Sequence, residues 1–217
     1  MKQSYKFYLF AFFLICIDQL LKLWMQYVVL PQHFGSIDVI NGFFKLHYVT
    51  NRGMAFGLEL GGEYGKLALT VFRLFAMVAI AWYLNIQANK TPNNGLLWAI
   101  AAILAGAIGN VIDSTFYGIL IRDNAPIDAP YPLFHGQVID MFYFYFLDGF
   151  WPNWIPKIGG TYHSTPIFNF ADACIFCGVV SILIFQKSFL EMKPLENADI
   201  ENLMDGESEE NDLKKNN

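Results

Sequence analysis

Residues 95–113 read GLLWAIAAILAGAIGNVID, an apolar run that carries no charge until Asp113. The part from Gly95 to Val111 is just long enough to cross a hydrocarbon core as a helix, which takes roughly 17–25 residues. Helix is the only choice for such a segment, because lipid offers no partner to an open backbone. Ala101, Ala105 and Gly109 recur every fourth position, and a face of small residues lets a second helix approach closely. The spacing predicts a span at the centre of a bundle. Composition agrees: of 217 residues, 55% are hydrophobic, 17% aromatic and only 15% charged, where soluble domains carry about a quarter.

Three further windows have the same character, Tyr5 to Leu30, Lys66 to Gln87 and Ile167 to Phe189. The fold class expected is therefore an all-α membrane protein with four transmembrane helices. Between the first two spans, Phe44, Leu46 and Tyr48 alternate with Lys45, His47 and Val49, a strand pattern bounded by turn residues. It predicts a small β-sheet on the membrane surface, within an outer loop at 31–65. A second outer loop, 113–166, is rich in aromatic residues, as in DMFYFYFLDGFWPNWIP, which favour the headgroup boundary. Lys and Arg are spread evenly over both sides, so charge does not orient the chain. An even number of spans still places both termini on one side and both long loops on the other.

The amino terminus begins like a signal peptide, but Asp18 and Lys22 interrupt its apolar run and no small-residue cleavage site follows; it is expected to remain as an anchor. Cys16, Cys174 and Cys177 fall inside apolar runs, where they read as reduced packing residues rather than a disulfide framework. His33, His47, His135 and His163 are not spaced for zinc, and neither a metal nor a cofactor is expected. The net charge of -5 gives no basic surface for nucleic acid. Residues 191–217 form an acidic tail, expected to be disordered.

Ionisable groups inside spans are the most informative feature, since each costs about 3 kcal/mol on insertion scales. Asp18, Lys22 and Gln26 make one polar stripe on the first helix. It reads equally as an ion pair that orients helices or as part of a substrate site. Arg73 stands two turns from the outer end of the second span, where its stem reads as a snorkelling anchor. GNVID puts Asn110 and Asp113 one turn apart, FNFAD does the same for Asn169 and Asp172, and VIDMF sets Asp140 in an apolar context. All belong to one end of the bundle. Two carboxyl groups close together in a poorly solvated place cannot both ionise, so one becomes a base and the other an acid. Such a pair can direct water onto a carbonyl. Carboxylates at helix ends also cap, pair with arginine or bind cations, and Asp18, Lys22, Arg73, Asp113 and Asp172 could instead line the ion path of a transporter or channel module. An assembly factor using its aromatic loops is a third reading.

NRGMAFG, GNVID, VIDMF and FNFADACI, in this order and each at an outer end or loop, resemble the motifs of the lipoprotein signal peptidases, or signal peptidase II, over about Asp18 to Ile184. The resemblance implies an aspartic endopeptidase of the bacterial inner membrane, with cytoplasmic termini and a periplasm-facing site. It would cleave a prolipoprotein before its diacylglyceryl-modified cysteine. Its partners would be that substrate and membrane lipids, and the chain would act as a monomer. By position, Asp140 and Asp172 match the catalytic pair, while Asp18 and Lys22 match a DQxxK segment. Asn51, Gly53 and Phe56 match NxGxAF, Gly109, Asn110 and Asp113 match GNxxD, and Asn169 precedes the second catalytic Asp. Residues 1–190 would form the peptidase domain and 191–217 a cytoplasmic tail. Two departures stand out: Ser114 replaces the arginine of GNxxDR, with Arg73 or Arg122 as substitutes, and the stretch before Asp140 is lengthened.

Overall fold

A computed structural model describes residues 4–52, 65–90, 93–127 and 129–190. Gly53, Phe56 and the tail 191–217 lie outside the described residues. Four described helices are long and apolar enough to cross a membrane: α1 (Tyr5–Gln32), α2 (Gly65–Lys90), α3 (Asn94–Leu120) and α4 (Phe170–Leu190). The chain divides after Ile184, and the last turns of α4 from Phe185 belong to the second unit.

The helix read from residues 95–113 takes the central place. In α3, 61% of the most apolar window is buried, against 22% or less in the other three helices. Ala101 and Ala105 are buried, and a methyl group placed on Gly106 would meet the Ala171 carbonyl at 2.2 Å. Only glycine lets α4 come so near. One on Gly109 would meet the Asp18 carboxylate at 2.6 Å, so the same face also admits α1. The outward faces carry Phe12, Phe13, Phe72, Phe75, Trp82 and Leu183, all exposed, as suits side chains whose solvent is lipid.

α3 continues past Val111, where the outer loop was expected to follow soon after, through a wide π-turn at Asp113–Tyr117. A turn of this kind releases backbone groups from the regular ladder, and the lengthened loop takes them up. Phe134 N–H donates to Thr115 O at 3.0 Å and Gly136 N–H to Ser114 O at 3.1 Å. Thr70 of α2 fixes the same stretch by donating its hydroxyl to Phe134 O at 2.9 Å. The chain therefore leaves the loop on a defined path and enters a strand.

That strand, β3 (Val138–Tyr143), joins β1 (Ser36–Ile40) and β2 (Phe44–Asn51) in an antiparallel sheet of order β1-β2-β3. Asp140 pairs with Val49 and Val138 with Asn51. The sequence placed Asp140 in a loop because VIDMFY shows no alternation. Its first four residues are buried, and a strand covered on both faces has no polar side to show. Ile139 and Met141 pack with Met25, Val29, Tyr117 and Ile121, seating the sheet on α1 and α3. A short hairpin of β4 (Gly149–Phe150) and β5 (Tyr162–His163) follows. The chain then returns along β3, with Phe142 and Phe168 exchanging hydrogen bonds of 2.8 and 3.2 Å. This pairing holds Phe168 extended, so α4 starts at Phe170 rather than near Ile167.

Inside the bundle, Lys22 is fully buried, with its Nζ 2.8 Å from Asp18 and 2.6 Å from Asp113. Gln19 closes the group, donating to Asp18 at 3.1 Å and Asp113 at 3.0 Å, and itself accepts from the Tyr117 hydroxyl at 3.0 Å. Asp18 also caps the start of α4, accepting from Ala171 N–H at 2.9 Å, where orphan amides and the helix dipole favour a negative charge. Lys22→Met leaves two carboxylates facing one another without their cation. It should destabilise the fold by about 3–5 kcal/mol, read as a lower thermal midpoint in detergent micelles, and adding Asp18→Asn and Asp113→Asn should recover much of the loss. A single Lys22→Met variant that melts like the wild type would contradict this reading.

Candidate active site

Four elements bring the site together: β3 supplies Asp140, β2 supplies Asn51, the start of α4 supplies Asn169 and Asp172, and the later part of α3 supplies Asn110. Asn169 stands just before the first turn of α4, where it and Asp172 satisfy each other. Its side-chain oxygen accepts from Asp172 N–H at 2.9 Å, and Asp172 Oδ2 accepts from Asn169 N–H at 3.3 Å. This is the reciprocal arrangement of a capping box, which ties a side chain to the backbone it protects. The position of Asp172 is thus set by the helix end itself.

Asn169 also reaches outward. Its Nδ2 donates to Asp140 Oδ1 at 2.7 Å and to Asn110 Oδ1 at 3.2 Å. Asn110 in turn donates through Nδ2 to Asp172 Oδ1 at 2.8 Å, and its oxygen accepts from Lys22 at 3.2 Å. The two aspartates are therefore joined through two asparagines, and the asparagines are oriented by the buried lysine. An amide has both a donor end and an acceptor end, and here each end has a partner that fixes which way it points. Asn51 completes the set from β2, donating to Asp140 Oδ2 at 3.0 Å. It lies diagonally across from Asp140 on one sheet face, the geometry in which strand neighbours touch.

The two carboxyl groups differ in surroundings. Asp140 is only 3% exposed, whereas Asp172 is half-buried. Burial first, and then the charge of Asp172, push the Asp140 carboxyl up to about 7, against the hydrogen bonds from Asn51 and Asn169 that hold it down. Near neutrality one group of the pair thus readily carries a proton, with the other, more open group beside it. Arg73 is half-buried rather than snorkelled, its Nη1 donating to Ser114 Oγ at 3.0 Å. Arg122 is exposed and paired with the equally exposed Asp123, so it takes no part.

Of the residues singled out in the sequence, Asp18, Lys22, Asn51, Asn110, Asp113, Asn169, Asp140 and Asp172 converge here, with Gly53 and Phe56 outside the described residues. Asp18, Lys22 and Asp113 are spent on one another and on the start of α4 rather than on an open surface. Sequence reasoning missed Gln19, which directly follows Asp18. Of the two arginines named as substitutes at Ser114, Arg73 is the one whose guanidinium reaches it.

The model of the family described as Signal peptidase (SPase) II matches residues 10–188. A lipoprotein signal peptidase of Amoebophilus asiaticus (strain 5a2) is 38% identical over 208 residues, which is 95% of this chain and 87% of that protein. One of Porphyromonas gingivalis is 38% identical over 184 residues, 79% of this chain and 78% of the other. A solved structure described as a bacterial membrane enzyme, determined by the in meso method at 1.9 Å resolution, superposes with a TM-score of 0.53 at 25% identity, covering 87% of this chain and 94% of its own. A match across almost the whole membrane-embedded chain places the protein in the signal peptidase II family, whose members are aspartic peptidases.

Proposed function

We propose that this chain removes the signal peptide of diacylglyceryl-modified prolipoproteins, cutting before the lipidated cysteine, with Asp140 and Asp172 as its catalytic pair. The observation that carries the reading is the link between the two carboxyl groups through Asn169 and Asn110. It sets two acids of unlike environment around one site at the outer ends of the helices. Asp140, with its raised affinity for a proton, donates a hydrogen bond to the scissile carbonyl oxygen. Asp172, the more open group, takes a proton from the attacking water, whose oxygen bonds to the carbonyl carbon. The tetrahedral species collapses when Asp172 returns that proton to the leaving nitrogen and the C–N bond breaks. Neither a metal nor a covalent intermediate enters this scheme.

The rest of the chain serves position. The lipid-tailed precursor enters sideways from the bilayer, and the sheet with its aromatic loop holds it at headgroup depth, so that binding prepares the geometry of attack. The site faces the periplasm and both termini the cytoplasm, as four spans require once the lipidated substrate is on the outer side. One chain suffices, because both aspartates come from it. Nothing favours the transporter reading, since Asp18, Lys22 and Asp113 are closed on one another.

Asp140→Asn and Asp172→Asn should each lower cleavage of a diacylglyceryl-modified precursor by about 10³-fold or more, while leaving insertion and thermal midpoint unchanged. Full activity in either variant would reject the assignment. The pH dependence has a definite sign. Asp140 carries its proton below about 7, so kcat/KM should fall as pH rises through that value and the second proton is lost. Asn51→Ala removes a hydrogen bond that favours the ionised form and should move that descending limb to higher pH. A limb that moves downward, or no limb at all, would contradict Asp140 as the acid.

A further inference from the structure

Beside the carboxyl pair lies a group of aromatic rings that the hydrolytic scheme does not use. Alternate side chains of a strand share a face, so Phe142 stands on the same face of β3 as Asp140, about 7 Å further along. Phe168 lies opposite Phe142, bound to it by backbone hydrogen bonds of 2.8 and 3.2 Å. It directly precedes Asn169, which donates to Asp140. The rings of Phe142 and Phe168 meet edge to face with centroids 5.7 Å apart. Phe144 stacks on Phe168 at 6.0 Å, and Phe44 of β2 closes the circuit, 4.7 Å from Phe144 and 6.2 Å from Phe142. Each spacing is one that aromatic pairs prefer. All four rings are only half-buried, so part of this platform stays open, and the row runs on through Phe43 to Phe146, both exposed.

We infer that these four rings form a specificity subsite, a platform that receives an apolar side chain of the signal peptide close to the bond that is cut. The inference rests on the peptidase reading given above and adds which part of the substrate is recognised. A lipid-tailed precursor has two apolar parts, its acyl chains and its signal peptide. The acyl chains gain little on a protein surface, because the bilayer they come from is as apolar as a leucine side chain. A peptide side chain drawn to headgroup depth does gain, with every methylene it removes from water. Distance favours the same occupant. An extended peptide advances about 3.3 Å per residue, so a platform about 7 Å from Asp140 meets a side chain about two residues from the scissile carbonyl. Beyond the bond the first residue is the lipidated cysteine, so that side chain belongs to the signal peptide.

The test uses full-length protein and diacylglyceryl-modified precursor peptides with Leu or Ala at each of the three positions before the cysteine. The wild type should prefer Leu at one of these positions by about tenfold or more in kcat/KM. Phe144→Ala leaves the pairing of β3 intact, since Phe144 follows its last residue. It should cut that preference to about threefold or less by slowing the Leu precursor, with the all-Ala precursor cleaved at close to the wild-type rate. Phe44→Ala removes the neighbouring ring from β2 and should act in the same way, so the claim stays testable if the first variant does not fold. A wild type indifferent to Leu, a preference undiminished in the variants, or equal losses on the Leu and all-Ala precursors would overturn the inference. So would a loss that follows the length of the acyl chains, measured with short-chain and long-chain diacylglyceryl precursors. An inactive Asp140→Asn alongside such results would leave the peptidase reading standing, whereas an active Asp140→Asn would remove that reading itself.

Discussion

A single ammonium group, buried between two carboxylates where lipid surrounds the bundle, sets the arrangement of everything that follows. Lys22 cannot be left without anions, since an isolated charge in such a place costs several kcal/mol. Its two partners lie on different helices, Asp18 on α1 and Asp113 on α3. Their demands are satisfied only when α1 and α3 stand in one register. Asp18 then extends the constraint to α4 by capping it at Ala171, and Lys22 extends it to Asn110. One ion triad therefore fixes the relative height of three helices, and with it the height of Asp172.

The second carboxyl group arrives by a different route. The π-turn at the end of α3 offers the Ser114 and Thr115 carbonyls to the loop, the loop is thereby delivered into β3, and β3 carries Asp140 to the first turn of α4. Helix packing and sheet pairing meet at Asn169, which bonds to both halves. Such double anchoring suits an aspartic site. Two acids must be close enough to share a proton and yet be kept in unlike surroundings, and neither a helix bundle nor a sheet alone supplies both conditions.

Much of this was legible in the sequence. The four apolar windows and the small-residue face of residues 95–113 announced the bundle and its centre. Charges at intramembrane positions, Asp18 and Lys22 above all, announced the polar heart, because lipid makes such residues too costly to keep without use. The paired Asn and Asp of GNVID and FNFAD announced the helix ends that meet. What could not be read had physical reasons. β3 is covered on both faces and shows no alternation, and the π-turn at Asp113 leaves no mark in composition. Of the alternatives weighed for Asp18 and Lys22, the ion pair is what the structure shows, and Lys22 also holds Asn110, which in turn holds Asp172. Arg73, read as a snorkelling anchor and also as a substitute for the arginine replaced at Ser114, turns inward to the Ser114 hydroxyl.

The central claim is that Asp140 and Asp172 share one scissile carbonyl. It is tested most directly by a structure with a lipidated precursor analogue whose scissile amide is replaced by a hydroxyl-bearing isostere. The account predicts that hydroxyl within about 3 Å of both carboxyl groups. A hydroxyl within reach of only one, or of neither, would contradict it.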